Sequence, residues 1–149
     1  MTTSSPTPGR IIDDDSEIGA LLERTRRIAV VGIKPKESMQ PAYYVPEYAQ
    51  RSGYEVVPVP VYYPEATEIL GQKVYRSLAA IPGDVDMVNM FRRPKDLAAH
   101  LDDILAKKPR SVWLQLGIRD DAFAARLTAA GIDVVQDRCL LVELRSHGR

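Results

Sequence analysis

Short runs dominated by apolar, often β-branched residues recur along this chain, the first of them, Ile28 to Val31, unbroken, and segments with helical spacing separate them. Ile28 to Val31, Glu55 to Val59, Val85 to Phe91, Ser111 to Gln115 and Ile132 to Val135 are the five runs. A strand covered on both faces is apolar throughout rather than alternating, so these runs predict the strands of a parallel sheet. Between them the pattern changes period. Asp13-Asp14-Asp15-Ser16 carries acids where the positive end of a helix favours them, and Ile18, Leu21 and Leu22 follow at helical spacing, which predicts a helix stopping near Arg26. Ala42 to Arg51 reads as a second helix closed by Gly53. Pro46 lies inside that stretch, and because proline is tolerated in a first turn, the pattern predicts a start at Val45. Pro94 to Lys107 places Leu97, Leu101 and Leu105 on one face, and Asp120 to Ala130 ends at Gly131. A loop over Pro60 to Glu68, a tight turn at Gly71 and a short helical turn over Ser77 to Ile81 complete the middle of the chain. A short tail follows the last strand, and residues 1–12, opening MTTSSPTPGR, read as a flexible arm.

Strands alternating with helices at this spacing require right-handed crossovers and a parallel sheet. The predicted fold class is therefore α/β: a Rossmann-like doubly wound sheet, mainly parallel, of about five strands. It forms a single domain over residues 13–149. A length of 149 residues with 45% hydrophobic content suits one sizeable core.

Charge narrows the partners. Lysine plus arginine equals aspartate plus glutamate, 20 of each, so no global field favours nucleic acid or an anionic membrane. One cysteine, Cys139, excludes an internal disulfide and a cysteine-cluster zinc site. No run of about 18 apolar residues and no apolar signal core occurs, which leads to the expectation of a soluble, cytoplasmic protein.

In doubly wound sheets a ligand binds outside the carboxyl ends of the strands, where the strand order reverses. That rule selects Gly32-Ile33-Lys34, Pro60-Val61-Tyr62-Tyr63, Phe91-Arg92-Arg93, Gln115-Leu116-Gly117 and Asp137-Arg138-Cys139. Lys34, Arg92 and Arg93 fall on this one edge, with Arg119 close in sequence, so a neutral chain gathers cations where an anionic ligand would sit. Free amides in the loop after Gly32 would add donors for phosphate. Each residue also has a plainer role open to it: Gly32 as a turn, Lys34 as a solvated cation, Arg92 and Arg93 as partners of Asp96, Trp113 as core, His100 on a helix surface and His147 in a frayed tail.

A dinucleotide loop needs G-x-G-x-x-G and an acid at the end of the second strand. Here the loop reads G-I-K-P-K-E, and the second strand ends V-P-V-P-V-Y-Y, with Glu55 at its opposite end. Both requirements fail, which leaves NAD(P) a minor alternative. No G-x-x-x-x-G-K-[ST] occurs either. A lysine in place of glycine, and no acid to repel a further phosphate, suit a ligand more anionic than NAD.

The segments IAVVGIKPK, GYEVVPVPV, EILGQKVYRSL, VDMVNMFRRP, VWLQLGI and AGIDVVQDRC occur in this order. Together they resemble the CoA-binding domain family, which is similar to the nucleotide-binding domain at the front of the succinyl-CoA synthetase α-subunit. The resemblance covers about residues 20–145. It implies a domain that binds coenzyme A or an acyl-CoA in its crevice. By this likeness Gly32, Ile33 and Lys34 match the loop near the ligand's phosphates, and Val59, Pro60 and Val61 match the segment near the adenosine 3′-phosphate. Phe91, Arg92 and Arg93 match the segment beside adenine and pantetheine, and Gln115 and Gly117 match the loop near the pantetheine arm. Val59-Pro60-Val61 replaces the V-N-P common in the family, and Tyr62 and Tyr63 lengthen the loop that follows.

Neither His100 nor His147 lies in a phosphohistidine motif, and no nucleophile–base motif such as G-x-S-x-G or H-E-x-x-H occurs. Three readings follow: a non-catalytic CoA carrier, sensor or accessory module; a CoA-thioester enzyme component that borrows reactive groups from a partner protein; and an NAD(P)-binding regulatory domain. Cys139 is read as a small buried residue after the last strand, with thiol exchange against CoA as the sharper alternative.

Overall fold

A computed structural model describes residues 7–149. In chain order its elements are α1 (Asp15–Arg24), β1 (Arg27–Val31), α2 (Pro41–Arg51), β2 (Glu55–Val59), β3 (Glu68–Ile69), β4 (Gln72–Lys73), β5 (Met87–Met90), α3 (Leu101–Lys107), β6 (Ser111–Leu114), α4 (Asp121–Ala129), β7 (Asp133–Val135) and α5 (Leu140–Ser146). Single 3₁₀ segments span Lys36–Ser38 and Pro94–His100. The main sheet has the order β2-β1-β5-β6-β7, and every pairing in it is parallel. β3 and β4 form a separate two-stranded hairpin whose turn, Leu70-Gly71, has positive φ at both residues.

All five apolar runs are strands of this sheet. The reason they lack alternation is visible in the burial: β5 and β6 are buried at every residue, and β1 and β2 at all but the first. Ala29, Val31, Val88, Met90, Val112 and Leu114 face one core together with Leu97, Ile104 and Leu127. Ile28, Val30, Met87 and Trp113 face the other, against Leu21 and Leu22 of α1, Val45 of α2 and Leu144 of α5. Trp113 is fully buried, as the sequence predicts, and its indole donates to the Arg138 carbonyl at 2.8 Å.

Four expectations are revised. The second helix begins at Pro41, not Val45, and takes Pro46 into its interior. Proline has no N–H for the carbonyl four residues back, here that of Ala42. The backbone N–H of Lys34 donates to that carbonyl instead, at 3.1 Å. The stretch predicted as one helix from Pro94 is a 3₁₀ segment to His100 and α-helix only from Leu101. The predicted tail contains α5, whose Leu140 and Leu144 are fully buried. His147 caps this helix rather than fraying from it, and a Cβ on Gly19 of α1 would come within 2.9 Å of its ring.

The fourth revision concerns the arm expected over residues 1–12. Its first six residues lie outside the described ones. Residues 9–12, however, run beside β7: the Val134 N–H donates to the Arg10 carbonyl at 2.9 Å, and the Ile12 N–H donates to the Val134 carbonyl at 2.8 Å. Ile11 bridges Val134 in parallel, and Ile12 is buried. Among the described residues no helix is long and apolar enough to cross a membrane.

Candidate functional site

The strand order reverses between β1 and β5: the chain leaves β1 toward β2 on one side, then returns to β5 on the other. Gly32 follows β1 at this point with φ +87°. Its N–H donates to the Val59 carbonyl at 2.9 Å, and a Cβ here would lie 2.3 Å from the Phe91 carbonyl oxygen. Glycine is therefore required on two counts, the left-handed φ and the close approach of the chain leaving β5. Ile33 turns inward and is buried in the core beneath α2.

Above this crossing opens a cleft of about 460 Å³. Lys34, Phe91, Arg92, Arg93, Gln115 and Gly117 line it, so six of the predicted site residues meet in one cavity. Pro41, Ala42, Tyr44 and Val45 of α2 form an apolar wall, and Leu116, Ile118 and Cys139 complete the rim. Val59, Pro60 and Val61 lie elsewhere. They line a second cavity of about 230 Å³ with Arg76, Ser77, His100 and Asp103. Gly32 and Ile33 line neither cavity and support the floor between the strands.

The cations differ in how far they are already engaged. The Lys34 ammonium donates to the Gln40 side-chain carbonyl at 2.6 Å, and no carboxylate among the described residues pairs with it. Arg93 donates to Asp96 at 2.9 Å while remaining largely exposed. That contact holds the Asp96 carboxyl below the usual carboxylate range. Arg92 is three-quarters buried; its Nε donates to His100 Nε2 at 3.1 Å, and its Nη2 stays 4.0 Å from Asp96. Burial, then the Arg92 charge, pushes the His100 imidazole below the ordinary histidine value of 6.5. Two cations predicted on this edge do not line the cleft: Arg119 pairs with Asp121 at 3.3 Å, and Arg138 pairs with Asp13 at 2.9 Å and Glu143 at 3.4 Å.

The loop amides expected as phosphate donors are partly consumed. Gly32 and Lys34 donate to Val59 and Ala42, and Ser38 and Met39 donate within their own 3₁₀ turn. The donors that remain toward the cleft are chiefly side chains. Gln115 is one of them. Its carbonyl oxygen accepts from Asn89 Nδ2 at 3.4 Å and from the Leu140 N–H at 3.3 Å, so its amide nitrogen is left for the cleft. Gly117 is held by its N–H donating to Asp137 Oδ1 at 2.6 Å.

Sequence reasoning missed three of these parts. Arg76 donates to the carbonyls of Tyr62, Tyr63 and Ala66 at 3.0, 2.8 and 2.9 Å and so shapes the loop after β2. Asn89 is a polar residue buried in the central strand β5, between Val88 and Met90. His100 lies eight residues beyond Arg92 at the end of a 3₁₀ segment, so the pairing depends on the path of that segment rather than on a regular α or β period.

The description CoA binding domain is matched by residues 26–145. The chain belongs to the CoA-binding domain family. A Bacillus subtilis (strain 168) relative, YneT, is 34% identical over 127 residues, spanning 85% of this chain and 91% of that one. The solved structure of cell-free ID.343 from Thermus thermophilus is similar at TM-score 0.83 and 41% identity, covering 91% of this chain and 99% of that chain. A hypothetical protein from Pyrococcus horikoshii OT3 is similar at TM-score 0.81 and 30% identity, covering 98% of each. The match to this family spans both cavities and every element from β1 to α5 up to Arg145.

Proposed function

We propose that this protein binds coenzyme A or an acyl-CoA in the cleft at the β1–β5 reversal, as a non-catalytic carrier, sensor or accessory module. The observation that carries the reading is the meeting of Lys34, Arg92 and Arg93, from two separate loops, on one cleft whose opposite wall is apolar. CoA has both characters, a phosphorylated nucleotide head and a long, weakly polar pantetheine arm. The cations suit the diphosphate. Ala42, Val45, Phe91 and Ile118 suit the arm and the base, and the free amide nitrogen of Gln115 suits a pantetheine carbonyl. A cleft of about 300–1,000 Å³ is usual for a small-molecule site. The smaller cavity beside Val59, Pro60 and Val61 is then the place for the ribose 3′-phosphate, next to Arg76.

Thermal unfolding with added ligand tests the reading. A ligand that binds only the folded chain, supplied at about 100 times its Kd, adds about 2.7 kcal/mol. CoA is expected to raise the melting temperature and NAD to leave it nearly unchanged. A larger shift with NAD than with CoA would overturn the assignment.

A further inference from the structure

Arg92 is placed by more than its own backbone. It follows β5, at the carboxyl edge, and its guanidinium has one close partner, the His100 imidazole, at 3.1 Å. Among the described residues, the carboxylate nearest to pairing with it, Asp96, is at 4.0 Å and is already engaged by Arg93 at 2.9 Å. An arginine has no acceptor, so in this contact Nε2 of His100 must be the acceptor. That fixes the tautomer: His100 carries its proton on Nδ1 and is neutral. His100 in turn is held at the junction of the 3₁₀ segment and α3 and lines the smaller cavity, while Arg92 lines the larger. The hydrogen-bonded pair therefore joins one lining residue of each cavity.

We propose that His100 is the positioning residue for Arg92: as a neutral hydrogen-bond acceptor it holds the guanidinium against the cleft, and protonation releases it. The proposal rests on the reading that Arg92 receives an anionic group of the ligand. With Nε committed to His100, the two Nη groups remain to form a fork toward an anion. A protonated imidazole has no lone pair for Nε and would face another cation at hydrogen-bonding distance. The charged groups around His100 are Arg92 itself, Asp96 from the 3₁₀ segment, Asp103 from α3, and Arg76 across the smaller cavity. Asp103 does not rescue the imidazolium well, since its two oxygens accept from the Leu78 and Ala79 N–H groups at 2.7 and 3.1 Å. The low titration of His100 agrees with this arrangement.

Two measurements test it. The chain has only two histidines, so nitrogen-resolved NMR of the imidazoles in the intact protein is simple. At neutral pH His100 is expected with Nδ1 protonated and Nε2 bare, and in Arg92→Ala its titration moves up toward the ordinary value. An Nε2-protonated His100, or a titration unmoved by Arg92→Ala, overturns the proposal whether or not CoA binds. Calorimetric titration with CoA gives the second readout. Arg92→Ala and His100→Leu are each expected to weaken CoA about tenfold, the usual scale for a hydrogen bond to a charged group. The double variant is expected to be no weaker than Arg92→Ala alone, and His100→Gln, which keeps an acceptor, to stay within about threefold of wild type. As the pH falls through the lowered titration of His100, the wild type is expected to lose affinity relative to His100→Gln, a comparison that cancels the ligand's own phosphate titration. Additive losses, or a His100→Leu variant that binds like wild type, overturn the proposal. A wild-type chain that binds no CoA overturns the functional reading instead and leaves the NMR result to decide the pair.

Discussion

At the scale of single residues, the site depends on positions that tolerate little. Gly32 combines a φ of +87° with the Phe91 carbonyl oxygen 2.3 Å from where a Cβ would stand. A non-glycine residue held in the left-handed region costs about 1–3 kcal/mol. Here the contact with backbone adds to that, because Phe91 cannot move without shifting β5. Gly32→Ala is expected to lower the urea midpoint by an amount corresponding to at least about 2 kcal/mol. A midpoint within error of wild type would mean that the crossing is less tight than described. Gly32 is also a residue whose importance the sequence announces, since a glycine after a buried strand is a familiar signal. His100 gives no such sign. Nothing in the residues around it states that Arg92 will reach it, because that contact depends on the path of the 3₁₀ segment between them.

At the scale of elements, the interior proline of α2 and the loop before it are one structural unit. Pro46 leaves the Ala42 carbonyl without an intrahelical donor, and the Lys34 N–H fills the place at 3.1 Å. A proline in a helix interior costs about 3 kcal/mol relative to alanine, so its presence needs a local reason. The contact of the Ala42 carbonyl with the loop that carries Lys34 offsets part of that cost. Pro46→Ala supplies an N–H that competes for the same carbonyl. Amide hydrogen exchange at Lys34 is expected to quicken several-fold in this variant while α2 itself is better protected. Unchanged exchange at Lys34 would separate the loop from the proline. The sequence pattern locates α2 but not its start, because a proline by itself signals a helix break. Only the neighbouring loop shows what the freed carbonyl does. The same limit explains the missed α5. Its apolar residues, Leu140, Leu141, Val142 and Leu144, span too few turns for a period to emerge.

At the scale of the whole molecule, two cores flank one sheet, and helices from both ends of the chain close the second of them. Residues 9–12 lie along β7, and α5 packs with α1 and α2, so segments far apart in the chain share contacts with the central sheet, and a single cooperative unit is expected. Leu144 is fully buried in that core, and truncating it to Ala is expected to cost about 2–5 kcal/mol. Trp113, the only tryptophan, lies in the same cluster and reports on it. Its fluorescence and the far-ultraviolet circular dichroism are expected to change in one coincident urea transition, shifted to lower urea by Leu144→Ala. An early fluorescence transition, with the dichroism unaffected, would show instead that the α1–α2–α5 side opens as a separate unit.

Read as a pattern, the chain determines that there are five covered strands with helices between them, and hence a parallel doubly wound sheet with its ligand edge at the strands' carboxyl ends. That much follows from burial, which marks each residue of a strand independently of where its neighbours in space come from. The tertiary structure alone decided that Lys34, Arg92, Arg93 and Gln115 share one cleft while Val59, Pro60 and Val61 line another. It alone paired Arg119 and Arg138 with carboxylates. It also joined Arg92 to His100 and Lys34 to Ala42. These are questions of direction and pairing between side chains and loops, and hydrogen bonds of that kind are set by three-dimensional proximity, which no local period encodes.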